Sequence, residues 1–215
     1  MKKIFATLTV MLIAFSGINA QELQTIKLNA PNKDRGSSVM KALSDRASVR
    51  ETDTRDLSLQ DLSDLLWAAN GVNRPDGKRT APSAINWQEI DVYVINKDGA
   101  YLYDATEHSL KPVAKGDFRK HVATSVQEFV TRVPVSLVLV ANLEKLGNNA
   151  TNRDFLKMVS MDAGIVSQNI NIFCSAVGLS TVPRAMMDKE ELKKALKLSD
   201  KQELMLNNPV GYPKK

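Results

Sequence analysis

From Asp154 to Val177 the chain runs without a proline, and after Asp162 it carries no charge until the stretch ends. Phe155, Met158, Val159, Ala163, Val166, Ile170, Phe173 and Val177 recur at helical spacing on one broad face, and Gly178 supplies a terminator. Such a helix is about 36 Å long at 1.5 Å per residue. Being apolar almost all round, it must be covered on several sides, so the rest of the chain has to fold around it. Its polar interruptions are Ser167-Gln168-Asn169 and Asn171. Buried amides and hydroxyls need partners or a bound ligand. A face that is exposed, or packed on a partner subunit, answers better for Asn171 than for Gln168.

The surrounding elements alternate in type. Residues 21–34 are polar and aperiodic and read as an N-terminal extended arm. Val39, Met40 and Leu43 give a short helix from about Ser37 to Ala47. Ser58 opens a cap with Asp61, followed by Leu59, Leu62, Leu65 and Leu66, and Gly71 ends that helix. Ile90 to Val94 and Ala100 to Tyr103, joined across Lys97-Asp98-Gly99, predict a β-hairpin. A helix is expected over about 116–131. The run VSLVLV (135–140), bounded by Pro134 and Asn142, is the pattern of a strand covered on both faces. Asp188 and Glu191 cap another helix, and residues 204–210 read as a final strand. The expectation is a single α+β domain without internal repeats.

The first twenty residues stand apart. Lys2 and Lys3 precede an apolar run from Ile4 to Phe15, and small residues then lead to Ala20 before polar Gln21. That run is short for a bilayer span and has the layout of a cleavable signal peptide, residues 1–20, cut after Ala20. The mature chain is then exported, periplasmic or secreted, with no membrane span after cleavage. Formal charge falls from +5 to +3 on loss of the two lysines. This mild, interspersed surplus does not suit a nucleic-acid partner. The single cysteine, Cys174, lies in the apolar helix and reads as a buried inert thiol.

Conventional catalytic patterns are missing. His108 and His121 lack metal-ligand spacing, so no metal site is expected. Neither a nucleophile elbow nor a Gly-rich phosphate loop occurs. What remains is clusters of polar residues. In Arg46-Ala47-Ser48-Val49-Arg50, alternate residues of an extended segment put two guanidiniums and a hydroxyl on one side, which suits a phosphate monoester. A solvated basic turn accounts for the same residues. In GKRTAPSAINWQ (77–88), Asn86 and Gln88 can both donate and accept, as the edge of a heteroaromatic ring requires, and Trp87 could wall it. A turn-rich loop leading into the hairpin is the plainer alternative.

These clusters, in this order, resemble the FMN-dependent nitroreductase family, particularly its branch related to the oxidases of azoline-forming peptide pathways. The similarity spans about residues 35–212. It rests on RASVR (46–50), LSLQDLSDLLWAANG (57–71), RTAPSAINWQ (79–88), VSLVLVAN (135–142), DAGIVSQNINIFCSAVGL (162–179) and NPVGYP (208–213). The resemblance implies a nitroreductase-like FMN-binding domain over 35–215. Its central, mostly antiparallel sheet is flanked by helices, and two chains interlock as a homodimer with FMN at the interface. It implies cofactor contacts from Arg46, Ser48 and Arg50 in one chain and from Pro82, Ser83, Asn86 and Gln88 of the other. Arg184, Ala185 and Met186 fall on the family's flavin-covering loop, where many members carry a Glu-Gly pair that Ala185-Met186 replaces. Lys214 stands near the family's C-terminal basic pair, and Arg79 is a candidate substrate contact. No protein residue is expected to be catalytic, because the flavin carries the chemistry.

The implied activity is that of an exported FMN-dependent oxidoreductase. Electrons would pass from a reduced donor such as NAD(P)H to a small acceptor, a nitroaromatic or quinone. The alternative is an exported flavin- or ligand-binding protein of the same fold with little turnover.

Overall fold

A computed structural model describes residues 22–214 of the chain. The signal peptide and its cut after Ala20 lie outside the described residues.

The chain order is β1 (Ile26–Lys27), α1 (Val39–Asp45), α2 (Leu59–Asn70), β2 (Ile90–Ile95), β3 (Gly99–Asp104), β4 (Ser109–Lys115), α3 (Arg119–Val122), β5 (Val135–Asn142), α4 (Arg153–Val177), β6 (Ser180–Thr181), α5 (Lys189–Ala195) and β7 (Gln202–Gly211). The strands form one seven-stranded sheet, ordered β1-β4-β3-β2-β5-β7-β6, in which every pairing is antiparallel. β5 lies between β2 and β7, with Val92 opposite Leu139 and Asn208 opposite Leu137. Its alternate residues feed two separate cores. Leu137 and Leu139 join Leu65 and Leu66 of α2 and Val159, Ala163 and Ile170 of α4. Val138 and Val140 join Val122, Val130, Leu192 and Leu196 on the other face. Because both faces are covered, the strand reads as an unbroken apolar run instead of an alternating one.

Helix ends follow the expected side-chain chemistry. Ser58 accepts from the Asp61 N–H at the start of α2, Asn152 from Asp154 at α4, and Asp188 from Glu191 at α5. Gly178 closes α4 in the left-handed conformation, at φ 75°, which a β-carbon would oppose. Cys174 is fully buried beneath that end, and burial pushes its thiol pKa up. Among the described residues no helix is long and apolar enough to cross a membrane.

Several expectations are corrected. No continuous helix spans 116–131. α3 ends after one turn, where Ala123 turns extended, and a 3₁₀ turn (Glu128–Arg132) follows. Thr124, Val126 and Val130 weaken the helix there through their β-branching, while Arg184 draws the Val122 carbonyl and the Gln127 side chain inward, at 3.1 and 2.6 Å. The extended arm expected at 21–34 docks its described residues on the domain. Its Ile26 and Lys27 pair with Leu110 and Ser109, Leu28 is buried, and just beyond it Arg35 bridges Asp61 and Asp64 of α2, both at 2.8 Å. Strand β4 escaped the sequence reading because SLKPVAK carries a proline and no alternation. α4 is not covered all round, since Met158 and Met161 are 41% and 65% exposed. The two amides on it reverse their expected places. Gln168 is exposed, whereas Asn171 is buried and accepts from the Asn208 amide at 3.3 Å.

Candidate functional site

The segment after α1 is pinned as an extended strip along the edge of the sheet. The Val49 N–H donates to the Thr181 carbonyl at 2.9 Å, Thr52 bridges Pro213, and the Asp53 N–H donates to Tyr212. Extended backbone alternates its side chains. Ala47 and Val49 accordingly line a cavity of about 320 Å³ with Asn171, Cys174, Ser175 and Thr181. Arg46, Ser48 and Arg50 are exposed, and their side chains make no hydrogen bond or ion pair among the described residues. Arg50 lines a separate cavity of about 360 Å³ together with Phe129, Arg132 and Lys214. Three cations thus face one hollow with Glu51 as the only carboxylate in its lining. Such an excess of unneutralised donors is what a multiply charged oxyanion requires. Arg132 was not anticipated, because it enters through the 3₁₀ turn that replaces the expected helix.

The Gly77–Gln88 loop is built differently. Ile85, Asn86 and Gln88 hold φ of 40°, 61° and 52°. For a β-branched residue such as Ile85 that conformation is strained, and it persists only where the surroundings enforce it. Most of the enforcing bonds are internal, and two come from outside the loop. Ser83 Oγ accepts from the Gln88 N–H at 2.9 Å, and the Gln88 amide donates to the Gly77 carbonyl and to Asn86 Oδ1 at 3.1 and 3.2 Å. Arg79 Nε donates to Gln88 Oε1 at 2.9 Å, and burial lowers the pKa of this guanidinium. Lys145 Nζ holds the Gln88 carbonyl at 2.9 Å. Below, Asp162 of α4 accepts from the Ala84 N–H at 2.8 Å, and Trp87 packs edge-on against Phe155 with ring centroids 5.1 Å apart. Gln88 and Arg79 are therefore committed to the loop itself, while Pro82 and Asn86 stay exposed and Ser83 half-buried.

The third segment, Val182 to Met187, is clamped to β7. Arg184 and Asn207 exchange backbone bonds at 2.9 and 2.7 Å. The Arg184 side chain turns inward, 5% exposed, onto Gln127, Val122 and Asn207 at 2.6, 3.1 and 2.7 Å. Burial lowers its pKa as well. Ala185 and Met186 are exposed at the tip, and their backbone N–H groups make no bond among the described residues.

Within one chain these groups do not meet. The Pro82–Ser83 turn lies beside Asp162 and Val166, whereas Ala47 and Val49 lie beside Ser175 and Gly178. About 20 Å of helix separates the two stations at 1.5 Å per residue. Helix α1, next to the basic strip, buries only Ala42 and leaves Val39, Met40 and Leu43 at 67%, 76% and 49% exposure. Contiguous apolar exposure of that kind marks an interaction surface.

The profile described as "Nitroreductase family" matches residues 43–212 of the chain. A protein of Methanocaldococcus jannaschii named as a nitroreductase is 31% identical over 174 residues, covering 77% of this chain and 86% of its own length. The crystal structure of a Ralstonia eutropha protein, also named as a nitroreductase, superposes with a TM-score of 0.82 at 34% identity and covers 89% of this chain and 90% of that one. The fold is shared further, at 16% identity and a TM-score of 0.69, with a chain of the E. coli microcin synthetase complex, covering 97% of this chain and 85% of that one.

Proposed function

The chain belongs to the nitroreductase family, and on that footing we propose that it is an exported, FMN-dependent oxidoreductase that works as a homodimer. The observation that carries this reading is the basic strip, with Arg46 and Arg50 exposed and unpartnered on one side of a firmly anchored segment. Those guanidiniums, with Ser48, would hold the phosphate and ribityl oxygens, and Lys214 and Arg132 add charge in the cavity that Arg50 lines. Pro82, Ser83 and Asn86 of the second chain would face the ring, which is how two stations about 20 Å apart along one helix come to serve one ligand. Residues of both kinds are present, so the chain fits the cofactor.

When bound, FMN supplies reversible redox chemistry, accepting electrons from a donor such as NAD(P)H and passing them to a nitroaromatic or quinone. The protein's part is placement. The strained Ile85–Gln88 turn offers a rigid wall, and rigid groups orient a ring without losing entropy on binding. Ala185 and Met186 can present their free N–H groups, but no carboxylate stands where many family members carry Glu. Gln88, Arg79 and Arg184 support their loops from within, and Arg79 is a candidate substrate contact only through the guanidinium N–H groups beyond the Nε that holds Gln88.

The Ala185-Met186 tip also favours a second reading, an exported flavin-binding protein with little turnover. Reconstituting with FMN and mixing anaerobically with NADPH, NADH or dithionite separates the two. The oxidoreductase reading expects loss of the oxidised-flavin absorbance with a nicotinamide donor. Bleaching by dithionite alone would leave the binding protein as the better account.

A further inference from the structure

Glu89 heads the hairpin directly after the strained loop, and none of its surface is exposed. Among the described residues neither of its carboxylate oxygens has a well-aligned hydrogen-bond donor, and the one N–H close by is that of Glu89 itself. Its neighbouring carboxyl is that of Asp162, which is 6% exposed, lines one small cavity with Gln88 and Ile90 on either side of Glu89, and already accepts the Ala84 N–H through Oδ2. Two ionised carboxylates can only accept, so they cannot bond one another, and a buried charge without donors is costly. One proton between them removes both difficulties.

We propose that Glu89 and Asp162 form a one-proton carboxyl pair, in which protonated Glu89 donates to Asp162 and so positions the Pro82–Gln88 loop. Asp162 then meets a donor on each side, the Glu89 hydroxyl and the Ala84 N–H, and is fixed between them. Loss of the proton sets two negative charges face to face beneath a loop whose left-handed residues depend on their ties.

The charged groups that face Glu89 are Asp162 from α4 and Lys145 from the turn after β5. Lys145 also bonds the Gln88 carbonyl and, at 2.8 Å, Asp91 Oδ1 on β2. α2 contributes uncharged Asn70, which bonds the Ile90 carbonyl, and β5 contributes uncharged Asn142, whose N–H bonds the Glu89 carbonyl. Burial, with help from Asp162, outweighs the Glu89 backbone N–H and, more weakly, Lys145, and pushes the Glu89 pKa from 4.5 to about 7. The folded protein thus binds this proton more tightly than the unfolded chain does. Its contribution to stability is complete below pH 4.5, declines as pH rises to about 7, and is lost above that.

Trp87 sits in the loop against Phe155, so its emission reports loop position without any flavin. The experiment uses flavin-free protein carrying W67F, titrated from about pH 5 to about pH 9, with Trp87 emission and melting temperature read together. The expected result is an emission change centred near pH 7 and a melting temperature that declines up to it. Both dependences vanish in E89Q, whose amide donates to Asp162 at every pH. D162N, which offers Glu89 an amide donor, moves the midpoint at least about one unit toward acid. The consequence for cofactor rests on the flavin-wall reading of the loop: wild-type FMN affinity drops roughly tenfold across the transition and E89Q affinity does not. Identical profiles in wild type and E89Q overturn the proposal, and so does an E89Q that fails to fold. If FMN binds at no pH, the flavin reading fails while the emission titration still decides the carboxyl pair.

Discussion

Replacing Arg46 and Arg50 together by alanine will strip the protein of FMN while leaving it folded. Neither guanidinium has a protein partner among the described residues, and both side chains are exposed, so the fold loses no contact. The segment stays in place through its backbone, by the Val49–Thr181 and Asp53–Tyr212 bonds. A hydrogen bond to a charged group contributes about 1.5–3 kcal/mol, so two lost phosphate anchors weaken binding by roughly 100- to 10,000-fold. Equilibrium titration with FMN, followed by quenching of flavin fluorescence, measures the change. Lysine at both positions should restore part of the loss, because charge returns without the planar fork. Unchanged affinity in the alanine variant would move the phosphate away from this strip.

The second large effect lies on α1. Substituting Val39 and Met40 by glutamate will yield a folded monomer that holds no flavin. In a single chain these side chains are solvent-exposed, and they occupy the first turn of the helix, where negative charge suits the helix dipole. The monomer therefore gains nothing unfavourable. At an apolar subunit contact, an unpaired buried charge costs about 3–5 kcal/mol, and two-fold symmetry repeats it on both sides. Light scattering should report one chain where wild type gives two, with unaltered far-ultraviolet circular dichroism. A variant that remains dimeric would place the contact on another face, the exposed Met158 and Met161 of α4 being the nearest candidates.

Elements whose signals are local were legible from the chain alone. α2, α4, α5, the β2–β3 hairpin and β5 each announce themselves by caps, periodicity or an apolar run bounded by breakers. What escaped depends on distant partners. Strand β4 earns its place only by pairing with β3, and the strip at 26–27 only by pairing with β4. The helix expected over 116–131 is undone by Arg184, which reaches back some sixty positions to take the Val122 carbonyl (|i−j| = 62). The same rule governs the site. Arg46, Ser48 and Arg50 could be placed on one side of an extended segment because alternation is a local property. That Gln88 spends its amide on Gly77 and Asn86, that Asn171 is buried against Asn208, and that Arg132 joins Arg50 and Lys214 are tertiary facts. Glu89 is the clearest case. In sequence it is a charged residue at the mouth of a strand, and only the approach of α4 shows that it is buried beside another carboxyl with no well-aligned donor among the described residues.

The central claim is that each FMN is held between two copies of the chain, at two equivalent sites per pair. It is tested most directly by mixing purified protein with excess FMN, removing unbound ligand, and recording the absorption spectrum and particle mass on the same sample. The account predicts the two visible bands of oxidised isoalloxazine, one flavin per chain, on a two-chain particle. A colourless protein, or flavin retained by a single chain, would contradict it.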